Sequence, residues 1–193
     1  MKRFLVLIVG LLFVGLAFTP AHADQSNSAV ATVLVNISPN IAVGVTSPIV
    51  DMGSFQTGDI QTVVQFRVDA NQQQIFMYLE ASDLYKGGDP TSTDVAPIRL
   101  NTSQPAWLIP ANGNKMGGGP NTLAWLTTGS PIDGFSTQAT EQGQFESAQN
   151  GRFSQLVTAK WLYTQPDPEK PAGQYSGKVR LTAMIQGFAN GVR

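Results

Sequence analysis

The chain has no cysteine and only one histidine, His22. The scarcity of these two residue types limits the catalytic and metal-binding chemistry that is open to it. Without thiols there can be no disulfide, thiolate metal site or cysteine nucleophile. His22 lies in an N-terminal segment that we expect to be removed, so the mature chain would also lack the histidine of Ser-His-Asp catalysis and the usual zinc ligands. Composition therefore argues against an enzyme, and no cofactor or metal is expected. Carboxylate chemistry and calcium binding by oxygen ligands stay open.

Charged residues are also scarce, at 13% of the chain. Residues 24–193 carry 10 Lys and Arg against 13 Asp and Glu. This weakly acidic balance, without a basic cluster, predicts no nucleic-acid partner. Beyond the N-terminus, no apolar run approaches the length that a membrane-spanning helix needs.

The first 23 residues have the pattern of a helical secretory signal peptide. Lys2 and Arg3 precede the apolar run Phe4–Phe18, and Ala21-His22-Ala23 offers small residues to a signal peptidase. We expect cleavage after Ala23 and export of the remainder. The alternative is a retained membrane anchor, which the shortness of the apolar run disfavours.

After the signal, apolar and polar residues mostly alternate, which is typical of strands with one buried and one wet face. The clearest such segments are Thr62–Ala70, Gln74–Ala81, Leu156–Tyr163 and Gly177–Gln186, and weaker ones are Ile41–Val45, Val95–Asn101 and Leu123–Thr127. Turn residues separate them, and the polar stretch Ser130–Asn150 is interpreted as a surface excursion. The sum predicts an all-β, antiparallel β-sandwich.

A nearly uncharged strand candidate, Ala29–Ile37, opens the mature chain. Its apolar positions share one face; they are Ala29, Ala31, Val33, Val35 and Ile37. Ser38-Pro39-Asn40 then breaks the pattern before the next strand candidate. The sequence therefore divides into a signal peptide (1–23), an N-terminal extension (24–39) and a sandwich domain (40–193).

The C-terminal segment Pro171-Ala172-Gly173-Gln174-Tyr175-Ser176-Gly177 leads directly into the alternating strand Lys178–Ile185. The run PAGQYSGKVRLTAMI resembles the last strand of chaperone–usher pilins. The N-terminal run ATVLVNISPNIAV resembles the start of the alternate, class 5 type of fimbrial subunit, which also lacks cysteine. The resemblance covers the two ends of the chain and only a strand pattern between them.

That resemblance implies an immunoglobulin-like sandwich that lacks its last strand. The N-terminal extension of a neighbouring subunit would complete it by donor-strand exchange, a form of β-augmentation. The implied donor residues are Ala29, Ala31, Val33, Val35 and Ile37, and the implied acceptor residues are Tyr175, Val179, Leu181, Ala183 and Ile185. The chain would then be a structural subunit of a bacterial surface fimbria that supports adhesion. Its implied partners are related or identical subunits, a periplasmic chaperone and an outer-membrane usher, and no surface ligand is specified.

Two alternatives stay open at this point. The segment Ala29–Ile37 can instead pair within its own domain, as the first strand of a closed sandwich. The protein would then be a self-contained secreted sandwich, or a fibre-tip adhesin, that binds a carbohydrate or protein ligand. Trp107 and Trp125 are the candidate ligand-facing residues for this alternative, whereas Trp161 falls on the buried face of its strand.

The acidic residues near turns do not form a recognisable calcium motif. They are Asp51, Asp59, Asp83, Asp89 and Asp94. Their spacing is not that of an EF-hand, and plain loops are the favoured interpretation.

Overall fold

A computed structural model describes residues 32–185. The predicted signal peptide and residues 24–31 lie outside this range. The chain divides into two units, Met1–Asn36 and Ile37–Arg193. Residues 32–36 of the first unit belong to no strand. The second unit contains fourteen strands and no helix within its described residues.

The strands, numbered in chain order, are β1 Ile41–Val45, β2 Gly58–Ala70, β3 Gln74–Ser82, β4 Tyr85–Lys86, β5 Arg99–Leu100, β6 Ala106–Pro110, β7 Gly113–Lys115, β8 Thr122–Leu123, β9 Trp125–Thr128, β10 Thr137–Thr140, β11 Gly143–Ser147, β12 Phe153–Gln165, β13 Tyr175–Ser176 and β14 Val179–Ile185.

The strands form two larger sheets and one small one, and every pairing is antiparallel. The first sheet has the order β1-β2-β12-β6-β8, with β5 also paired to β12. The second has the order β7-β11-β3-β10-β9, with β14 on the remaining side of β3. Strands β13 and β4 make the small sheet. The all-β, antiparallel, sandwich-like architecture predicted from the alternation is therefore confirmed.

The long central strands alternate as the sequence predicts. β2 and β12 pair along 13 residues each, and their inward side chains are buried. β3 lines the facing sheet with Ile75, Met77, Leu79 and Ala81, all fully buried. Trp161 lies in this core, as its place in the strand pattern predicts. One shared core between the two sheets follows from these faces.

The stretch Ser130–Asn150 contradicts the prediction of a surface excursion. It contributes β10 and β11, which pair with opposite ends of β3. Phe145 is fully buried, and so are the hydroxyl residues Thr137 and Ser147. The two strands were not predicted because the stretch is rich in polar residues. Its buried hydroxyl groups form hydrogen bonds, which allows them to lie inside the domain.

Shorter strand predictions were less accurate. Within Val95–Asn101 only Arg99–Leu100 forms a strand, and Leu123–Thr127 is split between β8 and β9. Strands β6 and β7 were not predicted. β6 is apolar at all five positions and shows no alternation with polar residues, and β7 has only three residues.

Strand β1 ends early for a reason visible in its register. Thr46 N–H donates to Gln65 O over 3.1 Å, which continues the ladder one residue past Val45. Two residues later the same register would place Pro48 opposite Val63, at a position whose N–H points toward β2. Proline has no N–H to donate, so the ladder stops.

Candidate functional site

Two strand edges face each other at one side of the domain. Among the described residues, β1 pairs only with β2, and β14 pairs only with β3. β1 and β14 belong to different sheets but lie close together. We call the strip between them the edge groove. Its sides are formed by β1 and β14.

The ladder register shows which backbone groups of β14 face the edge groove. Ser82 N–H donates to Lys178 O, so alternate residues from Lys178 onward face β3. The intervening residues turn their N–H and C=O groups away from β3. These residues are Val179, Leu181, Ala183 and Ile185. Their backbone groups have no hydrogen-bond partner within residues 32–185.

The side chains of the same four residues point toward the core. Leu181 and Ile185 are buried, whereas Val179 and Ala183 are half-buried and pack against the core from its margin. Thus β14 presents unpaired backbone groups and incompletely covered apolar side chains on one edge. Four of the five predicted acceptor residues lie on this edge.

The opposite side of the edge groove is incompletely covered as well. Val43 and Val45 stand beside Val68 and Phe66 on the inner face of the first sheet. Val68 and Phe66 are buried, yet Val43 is 39% and Val45 is 48% exposed. Apolar residues on an inner face are normally covered. Among the described residues, the neighbouring strand β14 leaves both valines partly exposed.

The segment before β14 fixes the start of that strand. Ser82 Oγ accepts a hydrogen bond from Lys178 N–H over 2.9 Å. Gly177 passes so close to this point that a Cβ there would lie 2.6 Å from Asp83 O and 2.7 Å from Ser82 Oγ. Glycine is therefore required for close approach of two backbone segments.

Tyr175, the fifth predicted acceptor residue, lies outside β14. It belongs to β13, which pairs with β4. Its side chain is half-buried against the core, and its hydroxyl donates to Pro171 O over 2.8 Å. Tyr175 therefore closes the turn that leads into the edge strand, and it does not sit on the exposed part of that strand.

A buried carboxylate secures the outer side of β14. Glu80 of β3 accepts a hydrogen bond from Arg180 Nε over 2.7 Å and another from Ser130 N–H over 2.8 Å. Burial alone would raise the pKa of Glu80, but the bonds from Arg180 and Ser130 outweigh it and hold the pKa below its ordinary value. Sequence reasoning missed this pair, since nothing in the alternation marks Glu80 as buried.

Part of the predicted donor segment is described. Val33, Val35 and Ile37 belong to no strand, and each is more than three-quarters exposed. Ala29 and Ala31 lie outside the described residues. The apolar side chains of the implied donor face are thus exposed at its three described positions.

The tryptophans and acidic residues considered for ligand or metal binding do not form a site within the described residues. Trp125 packs against the margin of the core, and Trp107 is half-buried on the outer face of β6. Several of these acids have protein partners: Asp89 accepts a hydrogen bond from Thr91 N–H, Asp83 pairs with Arg99, and Asp59 accepts from Thr164 Oγ1. Within residues 32–185 no group of three or more Asp, Glu, His or Cys is arranged to hold a metal ion.

No helix in the described part of the chain is long and apolar enough to cross a bilayer. The chain was compared with protein-family models, with curated proteins and with solved structures, and nothing matches it.

Proposed function

We propose that this protein is the structural subunit of a surface fimbria, and that its immunoglobulin-like sandwich is completed by a strand from a neighbouring subunit. One observation carries the proposal. The edge groove combines unpaired backbone groups on β14 with exposed inner-face valines on β1. A β-strand with alternating apolar side chains satisfies both needs at once.

The N-terminal extension has the chemistry of that strand. Its apolar face alternates from Ala29 to Ile37, and its described members are exposed. Main-chain hydrogen bonds to β14 would supply pairing, and alternate side chains would cover the inner face. Burial of Val33, Val35 and Ile37 would contribute about 1.5–3 kcal/mol each before entropy is subtracted.

An uncovered edge of this kind is an aggregation hazard until it is filled. A periplasmic chaperone and an outer-membrane usher are the partners that the proposal requires, the first to cover the edge groove and the second to exchange it for a subunit strand. The protein would reach the cell surface as part of the fibre. Adhesion would follow from the fibre, and the surface it binds is left unassigned.

Electron microscopy of the protein purified from its native host tests the proposal directly. Filaments made of this chain are expected. A chain without Ala29–Ile37 should still fold with its chaperone but should no longer form filaments. Loss of folding in that deletion would instead assign the segment to its own domain and contradict the proposal.

A matched pair of substitutions sharpens the test. Val35→Asp puts a charge on the face of the extension that would be buried. Leu34→Asp puts the same charge on the opposite face, at a residue that is similarly exposed before assembly. Val35→Asp should stop filament formation because an unpaired charge is costly to bury. Leu34→Asp should leave it intact. Equal effects of the two would contradict insertion with this face inward.

A further inference from the structure

The chain enters the sandwich domain through Ser38-Pro39-Asn40, and one side chain holds both ends of this short link. Asn71 Oδ1 accepts a hydrogen bond from Asn40 N–H over 2.7 Å. Asn71 Nδ2 donates to Ser38 O over 2.9 Å. The two bonded groups belong to the peptide planes on either side of Pro39, so a single amide fixes both planes.

The backbone adds to this fixation. Asn71 N–H donates to Asn40 O over 3.2 Å, which is the first rung of the β1–β2 ladder. Pro39 has a restricted φ, and the residue before a proline is restricted to extended conformations. Few backbone rotations remain free between Ser38 and β1.

The local turn does not itself demand asparagine. Asn71 lies in the connection between β2 and β3, where asparagine often serves to allow a positive φ. Within the described residues, however, Asp133 is the only non-glycine residue with a positive φ. The Asn71 side chain is therefore accounted for by its bonds to the link and not by the shape of the turn.

We infer that Asn71 is a positioning residue, which clamps the link Ser38-Pro39-Asn40 and thereby restricts the backbone rotations at the start of its domain. The inference rests on the proposed function, in which the extension joins one subunit to the next. In a fibre built that way, residues 38–40 are the connection between neighbouring domains. A rigid connection sets the angle between subunits and the stiffness of the fibre.

The test compares Asn71→Ala with Gln72→Ala, a matched control in the same turn whose exposed side chain makes no hydrogen bond in the described structure. Amide exchange of residues 37–42 is followed by mass spectrometry in the full mature chain. Asn71→Ala removes the acceptor of Asn40 N–H, so its exchange should accelerate roughly tenfold or more. Gln72→Ala should match the wild type.

Fibre stiffness supplies the readout that a purely local role would not move. Filaments of Asn71→Ala should form, but their persistence length in electron micrographs should fall by about twofold or more because the connection gains free rotations. Asn71→Asp keeps the acceptor and loses the donor. It should retain slow exchange at Asn40 and still give more flexible filaments than the wild type.

Two results would overturn the inference. Unchanged exchange in Asn71→Ala would show that the clamp does not hold in solution. Faster exchange with unchanged persistence length would show that the clamp does not position the subunits. The two hypotheses fail in different experiments. A wild-type chain that forms no filaments refutes the proposed function and, with it, the positioning role of Asn71 in a fibre. The exchange measurement needs no filament, so it tests the clamp separately.

Discussion

Arg180 Nε lies 2.7 Å from Glu80 Oε2, and the Glu80 side chain is only 3% exposed. The pair joins the edge strand β14 to the central strand β3. Arg180 also donates from Nη2 to Ser130 O, while Ser130 N–H donates to Glu80 Oε1. The strand that would receive a partner is thus tied to its own sheet by charge as well as by the ladder.

Replacing Arg180 with alanine should lower the free energy of unfolding by about 1.5–3 kcal/mol, because the buried Glu80 carboxylate loses its charged donor. Denaturant unfolding followed by tryptophan fluorescence measures the change. Arg152→Ala is the control, since Arg152 is exposed and makes no bond in the described structure. Equal losses in the two variants would show that the pair contributes nothing particular.

Acid should weaken the protein through the same carboxylate. The pKa of Glu80 in the folded state lies below its ordinary value of 4.5, so the unfolded state binds protons first as the pH falls. The stability that Glu80 contributes is therefore present above about pH 4.5 and is lost as the pH falls through the folded pKa.

Unfolding free energy measured from pH 7 to pH 3 checks this. Glu80→Gln should be less stable than the wild type at pH 7 and should lose less on acidification. Some acid dependence should persist in Glu80→Gln, because hydrogen bonds from Arg67 to Asp69 and from Thr91 to Asp89 also hold the pKa values of those carboxyls low. If the unfolding free energies of the two proteins fell in parallel with pH, Glu80 would not be a source of the acid sensitivity.

Gly177→Ala should destabilise the start of β14 by about 1–3 kcal/mol, because the new methyl group would overlap Asp83 O and Ser82 Oγ. Thermal unfolding and amide exchange at Lys178 are the measurements. Gly119→Ala is the matched control, since a Cβ there meets nothing within 4 Å. A Gly177→Ala protein as stable as that control would mean that the two backbone segments separate at little cost.

Two valines of similar exposure, one on the inner face and one on the outer face of the first sheet, provide a matched pair of substitution sites. Val43 is 39% exposed and faces the edge groove, whereas Val63 is 40% exposed on the outer face of β2. Val43→Asp should raise the concentration needed for filament assembly by about tenfold or more, since the charge would be buried beneath the incoming strand. Val63→Asp should not.

Circular dichroism should show both variants folded, because neither valine is buried in the unassembled domain. Sedimentation of filaments then reports assembly. If Val43→Asp assembled like Val63→Asp, the incoming strand would not cover β1, and the edge groove would not be the site of exchange.

The strongest parts of the fold were predictable because their alternation is long. β2 and β12 offer 13 residues each, enough for a period of two to stand out. β10 and β11 were not predictable in this way. In β10, Thr140 Oγ1 accepts a hydrogen bond from Leu79 N–H, and Thr137 Oγ1 donates one to Ser130 O. These bonds allow polar residues to be buried, but in the sequence a polar residue is typical of the surface.

Sequence alone determined that the chain is β-rich, that an apolar strand candidate precedes the domain, and that an alternating strand follows Gly177. Only the tertiary structure decided which edges lack a partner. Pairing depends on contacts between residues far apart in the chain, so no local pattern could show that Val43 is uncovered on an inner face or that β14 has one free side. Nor could it show that Asn71 and Ser38, 33 positions apart, are joined by a hydrogen bond.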